Sequence, residues 1–456
     1  MRNLRIAVLL AVLAWIVPAQ AQNLDVKKSV LPNGLTVLAL EDHTFPSIAL
    51  QITFKVGSRN ERPGITGLSH MFEHMMFNGS AKFKPKQFDV LIESGGGYSN
   101  AYTTTDITAY HEEFSSGTLD TVLRLEADRM RSLKLDIQNL EQERSIVKEE
   151  RRVNTDESVE AAMYETLWNN AFVAHPYRWL TIGFMVDLNA IRLEDAKDYF
   201  RIYYAPNNAV MSVVGDFKAN ELFARVREYF GSIPRQPSPR PVPNAEPPQR
   251  GEKRLQLYRV AELPAVMIGY KGIAFTQADE PALNILASIL SRGESSRLYR
   301  DLVYEKQIAA SVSASNDSRN DPGLFTFYAQ ARPGKTAEEC EQAIYAVIDG
   351  IKKNGVTNRE VEKSKNGIRA GYLNGFKTNM GRAGMLCDYE ANWGKWTELR
   401  NYVPRHDKVT AADVKRVADR YFDTRKRTVV TLIPEKTDSR KAAKPQSKEF
   451  ARSTNQ

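Results

Sequence analysis

Apolar residues recur along this chain with two different periods, and the departures from those periods are where chemistry is to be sought. From Gly67 to Phe77 the run has no proline, and Gly79 closes it, as a glycine often closes a helix. At about 100° per residue, Leu68, Phe72, Met75 and Met76 cover one side, while His70, Glu73, His74 and Phe77 share an arc of about 100° on the other. Apolar residues otherwise run nearly all the way round, which predicts a buried helix. A second helix is predicted through Leu140–Arg152, where Leu140, Ile146 and Val147 mark an apolar stripe about 120° wide. Glu143 and Glu150 fall inside that stripe; Glu141, Arg144, Lys148, Glu149, Arg151 and Arg152 fall on the wet side. Gly95-Gly96-Gly97 and the Thr- and Tyr-rich run from Tyr98 to Tyr110 read as a flexible turn followed by strand.

The same patterning divides the chain in two. Arg235–Pro248 is Pro-rich and has no periodic core pattern, so it reads as a linker, placed at 236–250. Each side then has about 200 residues, enough for its own core. The two sides rhyme. Leu193–Phe200, a helical pattern, precedes the β-branched run Ala209–Val214, and Ala411–Phe422 precedes Arg427–Leu432. The expectation is an α+β fold of two homologous domains, residues 22–235 and 251–435, each a mostly antiparallel sheet with helices.

Composition changes this picture at the ends. Met1–Arg5 is basic, Ile6–Val17 is apolar and Ala19-Gln20-Ala21 is a small-residue cleavage site, so residues 1–21 read as a secretory signal peptide too short to span a membrane. A periplasmic or secreted protein is expected, without stable membrane insertion. Of the net charge of +8, the signal segment carries two and the basic tail from Lys436 to Gln456 four, which leaves only two on the body. Nucleic acid is not indicated, and the tail, polar and nearly free of large apolar residues, reads as disordered. The two cysteines, Cys340 and Cys387, could pair in an exported protein, and their spacing leaves that open.

The candidate chemistry lies on the first helix. His70 and His74, four apart with Glu73 between them, suit a helix that holds a zinc ion with a carboxylate beside its open position. The bland alternative, two core histidines bonded to backbone carbonyls, leaves Glu73 buried and unpaired. A zinc site of this type needs a third protein ligand. Glu150 is the candidate, with Glu143 a turn or two away as a supporting group or auxiliary base; salt bridges from both carboxylates to arginines are the competing reading.

With these residues in place, the chain resembles the pitrilysin/insulinase family, in particular its mitochondrial-processing-peptidase-like members. The resemblance is carried by His70-x-x-Glu73-His74 and, further on, Glu143-Arg144-x-x-Val147-x-x-Glu150. Leu31–Leu35, Asn100–Thr103, His175-Pro176-Tyr177, Tyr204–Asn208 and Val214–Phe217 match family segments in the same order, so that it covers roughly residues 25 to 435. It implies half of a clam-shell peptidase in which His70, His74 and Glu150 bind one Zn2+. Glu73 would be the general base, taking a proton from the attacking water and passing it to the leaving amine, and Glu143 would support catalysis from beside the ligands. The strand after the glycines would be an edge pairing with an extended peptide substrate, with Asn100 and Ala101 facing the scissile region.

One departure matters. Members that work alone carry an Arg and a Tyr seven apart after a Ser-Ser-Arg-Leu segment, and these help hold the substrate. After Ser295-Ser296-Arg297-Leu298 the matching positions here are Val303 and Ala310, and neither can donate to an oxyanion. The expectation is a zinc endopeptidase for short or unfolded peptides that needs a zinc-free sister subunit, with a homodimer as the rival arrangement. A non-catalytic scaffold and a non-haem iron oxygenase are the other readings; the first has no use for Glu73, and neither has the second.

Overall fold

The computed structural model describes residues 24–242 and 246–435. The segment expected to be a signal peptide and the basic tail lie outside them. Six strands form the first sheet: β1 (Lys27–Val30), β2 (Thr36–Glu41), β3 (Ser47–Phe54), β4 (Tyr98–Thr103), β5 (Thr108–Ser115) and β6 (Ala209–Gly215). Five form the second: β7 (Lys253–Val260), β8 (Ala265–Lys271), β9 (Ala309–Asp317), β10 (Leu324–Ala331) and β11 (Arg427–Glu435). The orders are β1-β2-β6-β3-β5-β4 and β7-β11-β8-β10-β9. Without β1 the two are the same topology. In each, the first strand runs parallel to the last and every other neighbour is antiparallel. The rhyme read from the sequence is therefore a repeated fold, with Leu193–Tyr203 and Ala411–Tyr421 as matching helices before β6 and β11.

Sheet faces explain the strand sequences. All of β6 is buried, and its unbroken AVMSVV run reflects a strand covered on both sides. One face of the first sheet carries the helices of its own half, with Leu68, Phe72, Leu123, Leu140 and Val226 in a single core. The other face is covered by the second half: Ala383, Leu386 and Cys387 of the Asn379–Trp393 helix pack on Leu38, Leu40, Ala49, Val210 and Val214. The exchange is reciprocal. Met163, Leu167 and Trp168 of the Val159–Ala171 helix pack on Ala265, Met267, Val430 and Leu432 of the second sheet. Each half thus lends a helix to its neighbour's sheet. Cys340 lies in the second half's own core while Cys387 lies under the first sheet, so the two thiols are unpaired and buried in separate cores.

The Pro-rich stretch contains no helix or strand among its described residues, yet it is held at both ends. Gln236 exchanges two hydrogen bonds with Asn207 (2.9 and 3.1 Å). The Glu246 carboxylate accepts the backbone N–H groups of Val173, Ala174 and His175. Among the described residues no helix is long and apolar enough to cross a membrane.

Candidate metal centre

The helix predicted over 67–77 runs from Leu68 to Met75. Its start is tightly built. Gly67 has φ 91°, and a Cβ there would stand 2.6 Å from the Ile182 carbonyl oxygen. The Glu61 carboxylate accepts the N–H groups of Gly67 (2.8 Å) and Ser69 (2.7 Å), and the Tyr110 hydroxyl donates to the Phe72 carbonyl at 2.9 Å. Leu68, Phe72, Met75 and Met76 are buried as the wheel requires, and so is Met71. The helix is not buried all round, however: His70, Glu73 and His74 are half-buried, on a face open toward the Ile137–Arg151 helix and β4.

Glu150 reaches this face. Its Oε2 lies 3.7 Å from His70 Nε2 and 3.5 Å from His74 Nε2, and one ligand atom from each of the three side chains falls within 4.8 Å of the others. Among the described residues this is the one group of His, Cys, Asp and Glu that converges so. The separations are too long for good hydrogen bonds. They match the roughly 3.4 Å edge of a tetrahedron with ligand bonds of about 2.1 Å, so the three donors fit an ion between them. Burial and the neighbouring His74 push His70 down to about 4, which keeps it in the neutral form that ligates metal. Burial also works to lower His74, but Glu143, Glu150 and Glu73 outweigh it and raise the imidazole above its usual value.

Glu143 faces the far side of the same imidazole, with Oε2 at 3.4 Å from His74 Nδ1, and accepts a 2.6 Å hydrogen bond from Asn78 Nδ2. Burial alone would raise its carboxyl, but His74 and Asn78 hold it below the usual carboxylate range. Glu73 is not among the converging atoms. Burial raises its carboxyl above the ordinary value, opposed by Thr103 and His74 and reinforced by Glu150. Thr103 ends β4, so the free carboxylate sits between the converging side chains and that strand.

β4 is an edge of the first sheet, paired only with β5, and Asn100 stands opposite His111 and Ala101 opposite Tyr110. Asn100 is exposed, with its side-chain oxygen accepting the Ala101 N–H at 2.8 Å, whereas Ala101 packs on the first half's core. In the second half Val303 is buried in the core and Ala310 is exposed at the start of β9. Tyr304 points to solvent and Arg300 pairs with Glu305 at 3.0 Å.

The structure corrects one assignment on the second helix. Arg144 and Arg151, expected on the wet side, are buried, and Ile146, expected in the stripe, is 40% exposed. Arg144 donates to the carbonyls of Leu188 and Ile191, closing the end of a neighbouring helix, and Arg151 pairs with Glu165 at 2.9 Å. Both guanidiniums are buried because their partners come from distant segments. Sequence reasoning missed Asn78, which lies just beyond the end of the histidine helix, and missed Glu61, for which the sequence carries no signal.

Two family descriptions match the chain: Insulinase (Peptidase family M16) over residues 36–178 and Peptidase M16 inactive domain over residues 190–368. The zinc protease PqqE of Helicobacter pylori is 34% identical over 434 residues, covering 94% of this chain and 97% of its own. The crystal structure of a protease from Helicobacter pylori superposes with a TM-score of 0.86 at 33% identity, covering 90% of this chain and all of that one. The periplasmic protease PqqL from Escherichia coli shares the fold at a TM-score of 0.74 and 15% identity, and this chain, matched over 94% of its length, spans 51% of that longer one. Residues 36–178, which hold the converging His70, His74 and Glu150, match the insulinase description, and residues 190–368, which add none of them, match the inactive-domain description. With matching sequence and matching fold over nearly its whole length, this chain belongs to peptidase family M16.

Proposed function

We propose that this chain is an exported zinc endopeptidase that hydrolyses short or unfolded peptides. The observation that carries the reading is the convergence of His70, His74 and Glu150 with the Glu73 carboxylate left free beside them. Zinc held by the three side chains would supply Lewis acidity, activating a water and polarising the peptide carbonyl. Glu73 accepts the proton of the attacking water and delivers it to the leaving amine; its raised affinity for a proton suits both transfers. Glu143 fixes the His74 ring through Nδ1 and is itself held by Asn78. An extended peptide pairs with the outer edge of β4, where backbone hydrogen bonds give affinity with little sequence preference, and Asn100 and Ala101 lie along it. An iron-oxygenase reading leaves Glu73 without a role.

Val303 and Ala310 offer no donor to the developing oxyanion, so a zinc-free sister subunit supplies an Arg and a Tyr in this reading. The span of half of PqqL supports pairing of two such units. Loss of one such donor costs about a hundredfold or more. The test is cleavage of quenched, unstructured peptides by the zinc-loaded chain, with and without a zinc-free sister chain from the same genome. Cleavage in the mixture alone supports the two-chain enzyme. Full cleavage by the single chain overturns the sister subunit in favour of a homodimer. No cleavage in either, with zinc bound, overturns the peptidase in favour of a scaffold.

The supporting group gives a separate expectation. Glu143→Gln removes the negative charge behind His74 and is expected to weaken zinc binding by about 10- to 100-fold, measured by competition with a chelator. Unchanged affinity would show that the Glu143 contact does not tune the ligand.

A further inference from the structure

The segment Gly57–Gly67, which leads from β3 into the helix of the two histidines, touches three parts of the molecule at once. Gly57 presses on the β4–β5 turn so closely that a Cβ there would lie 2.4 Å from the Thr104 carbonyl oxygen. Ser58 and Arg59 donate their N–H groups to the carbonyls of Thr104 (3.4 Å) and Thr105 (2.9 Å). Two residues later, Glu61 caps the helix that carries His70 and His74.

Arg59 joins this segment to the second half. Its guanidinium, 18% exposed, lies 2.5 Å from Asp321 Oδ2 and 3.4 Å from Asp106 Oδ1. Asp106, in the β4–β5 turn, also accepts from the Tyr177 hydroxyl (2.8 Å) and the Asn320 N–H (3.2 Å). The Tyr177 hydroxyl in turn accepts the Asp321 N–H at 3.0 Å, and His175 Nε2 stands 3.0 Å from Asp321 Oδ2. Asn320 and Asp321 lie between β9 and β10, the hairpin that repeats β4–β5 in the second half. The tips of the two equivalent hairpins are therefore tied together, with Arg59 between them.

β4 has only one neighbour, so β5 sets its position on one side and this turn sets it at its end. We propose that Arg59 is a positioning residue for the peptide-receiving strand. By holding Asp106 and Asp321 together, it fixes the end of β4 relative to the histidine helix, and so the height at which a paired peptide meets His70, His74 and Glu150. The inference rests on the reading of β4 as the peptide-binding edge. Displacements of about 1 Å at such distances are enough to cost reactive geometry.

The test measures binding of an unstructured fluorescent peptide to the zinc-loaded Glu73→Gln chain, by anisotropy, well below the melting temperature. Adding Arg59→Gln is expected to raise Kd about tenfold with one zinc still bound per chain. Arg59→Lys, which keeps a charge on Asp321, is expected to restore most of that loss. Tyr177→Phe, which removes one hydroxyl and keeps the ring, is the gentler variant if Arg59→Gln fails to fold, and is expected to raise Kd about threefold. Unchanged Kd in the folded variants overturns the positioning role. Parallel loss of zinc and peptide overturns it too, in favour of a merely structural clamp. A peptide N-methylated at alternate amides separates the two levels: if it binds the parent as tightly as the unmodified one, strand pairing itself fails, and the role of Arg59 falls with it.

Discussion

Glu73→Gln is expected to lower peptide hydrolysis by about a hundred- to ten-thousandfold while leaving bound zinc at the level of the parent. The two halves of this expectation come from different features. Zinc retention follows because the converging atoms belong to His70, His74 and Glu150, and Gln keeps the shape of the side chain that stands beside them. Loss of rate follows because an amide cannot take up the proton that the attacking water must release. The carboxylate suits this proton transfer, since burial raises its proton affinity, with Thr103 and His74 opposing the rise. The check is hydrolysis by whichever assembly proves active, with metal content measured on the same sample. If more than about a tenth of the activity survived, proton transfer by Glu73 would be ruled out. If zinc left with the carboxylate, Glu73 would be a ligand instead of a base.

The legible part of this site is the part written in short-range periodicity. His70, Glu73 and His74 fall on one face because a helix places residues three and four apart together, and the structure keeps that face. Glu143 and Glu150 were legible for a different reason: carboxylates inside an apolar stripe need partners, and theirs are His74 and the site itself. The wheel itself misplaced Arg144 and Arg151, because a stripe drawn through Leu140, Ile146 and Val147 does not show which charges find buried partners. Their partners, Leu188, Ile191 and Glu165, come from segments that only the fold brings near. The repeated α+β topology was legible in the order of helix and strand patterns. The helix exchange was not. Val159–Ala171 and Asn379–Trp393 show little one-sidedness in their sequences, which carry no information on which sheet they meet. The Arg59 clamp was hidden likewise, since His175-Pro176-Tyr177 stands out as a motif only and its link to Asp321 spans 146 positions.

That exchange leads to the second large effect. Chains cut within residues 236–250 and expressed as separate halves are expected not to fold. Each half alone would uncover a sheet face built for the other's helix. The first would expose Leu38, Leu40, Val210 and Val214, together with Met163, Leu167 and Trp168 on the helix it lends. At about 1.5–3 kcal/mol for each large apolar side chain, the loss is on the order of 10 kcal/mol, comparable to the whole stability of a typical domain. The Arg59–Asp321 pair and the Asn320 N–H donated to Asp106 cross the cut as well, so charged groups would lose partners in either fragment. The intact chain should therefore melt in one calorimetric transition despite having two sheets, and the co-expressed halves should purify as a complex. Trp168→Ala, which opens a cavity on the second sheet from a residue of the first half, is expected to cost about 3–5 kcal/mol. Its signature is a fall in the single transition shared by both halves, read by hydrogen exchange at β6 as well as β11. Two separable transitions, or a soluble, cooperatively folded single half, would show instead that the lent helices are ornament and that each sheet stands on its own core.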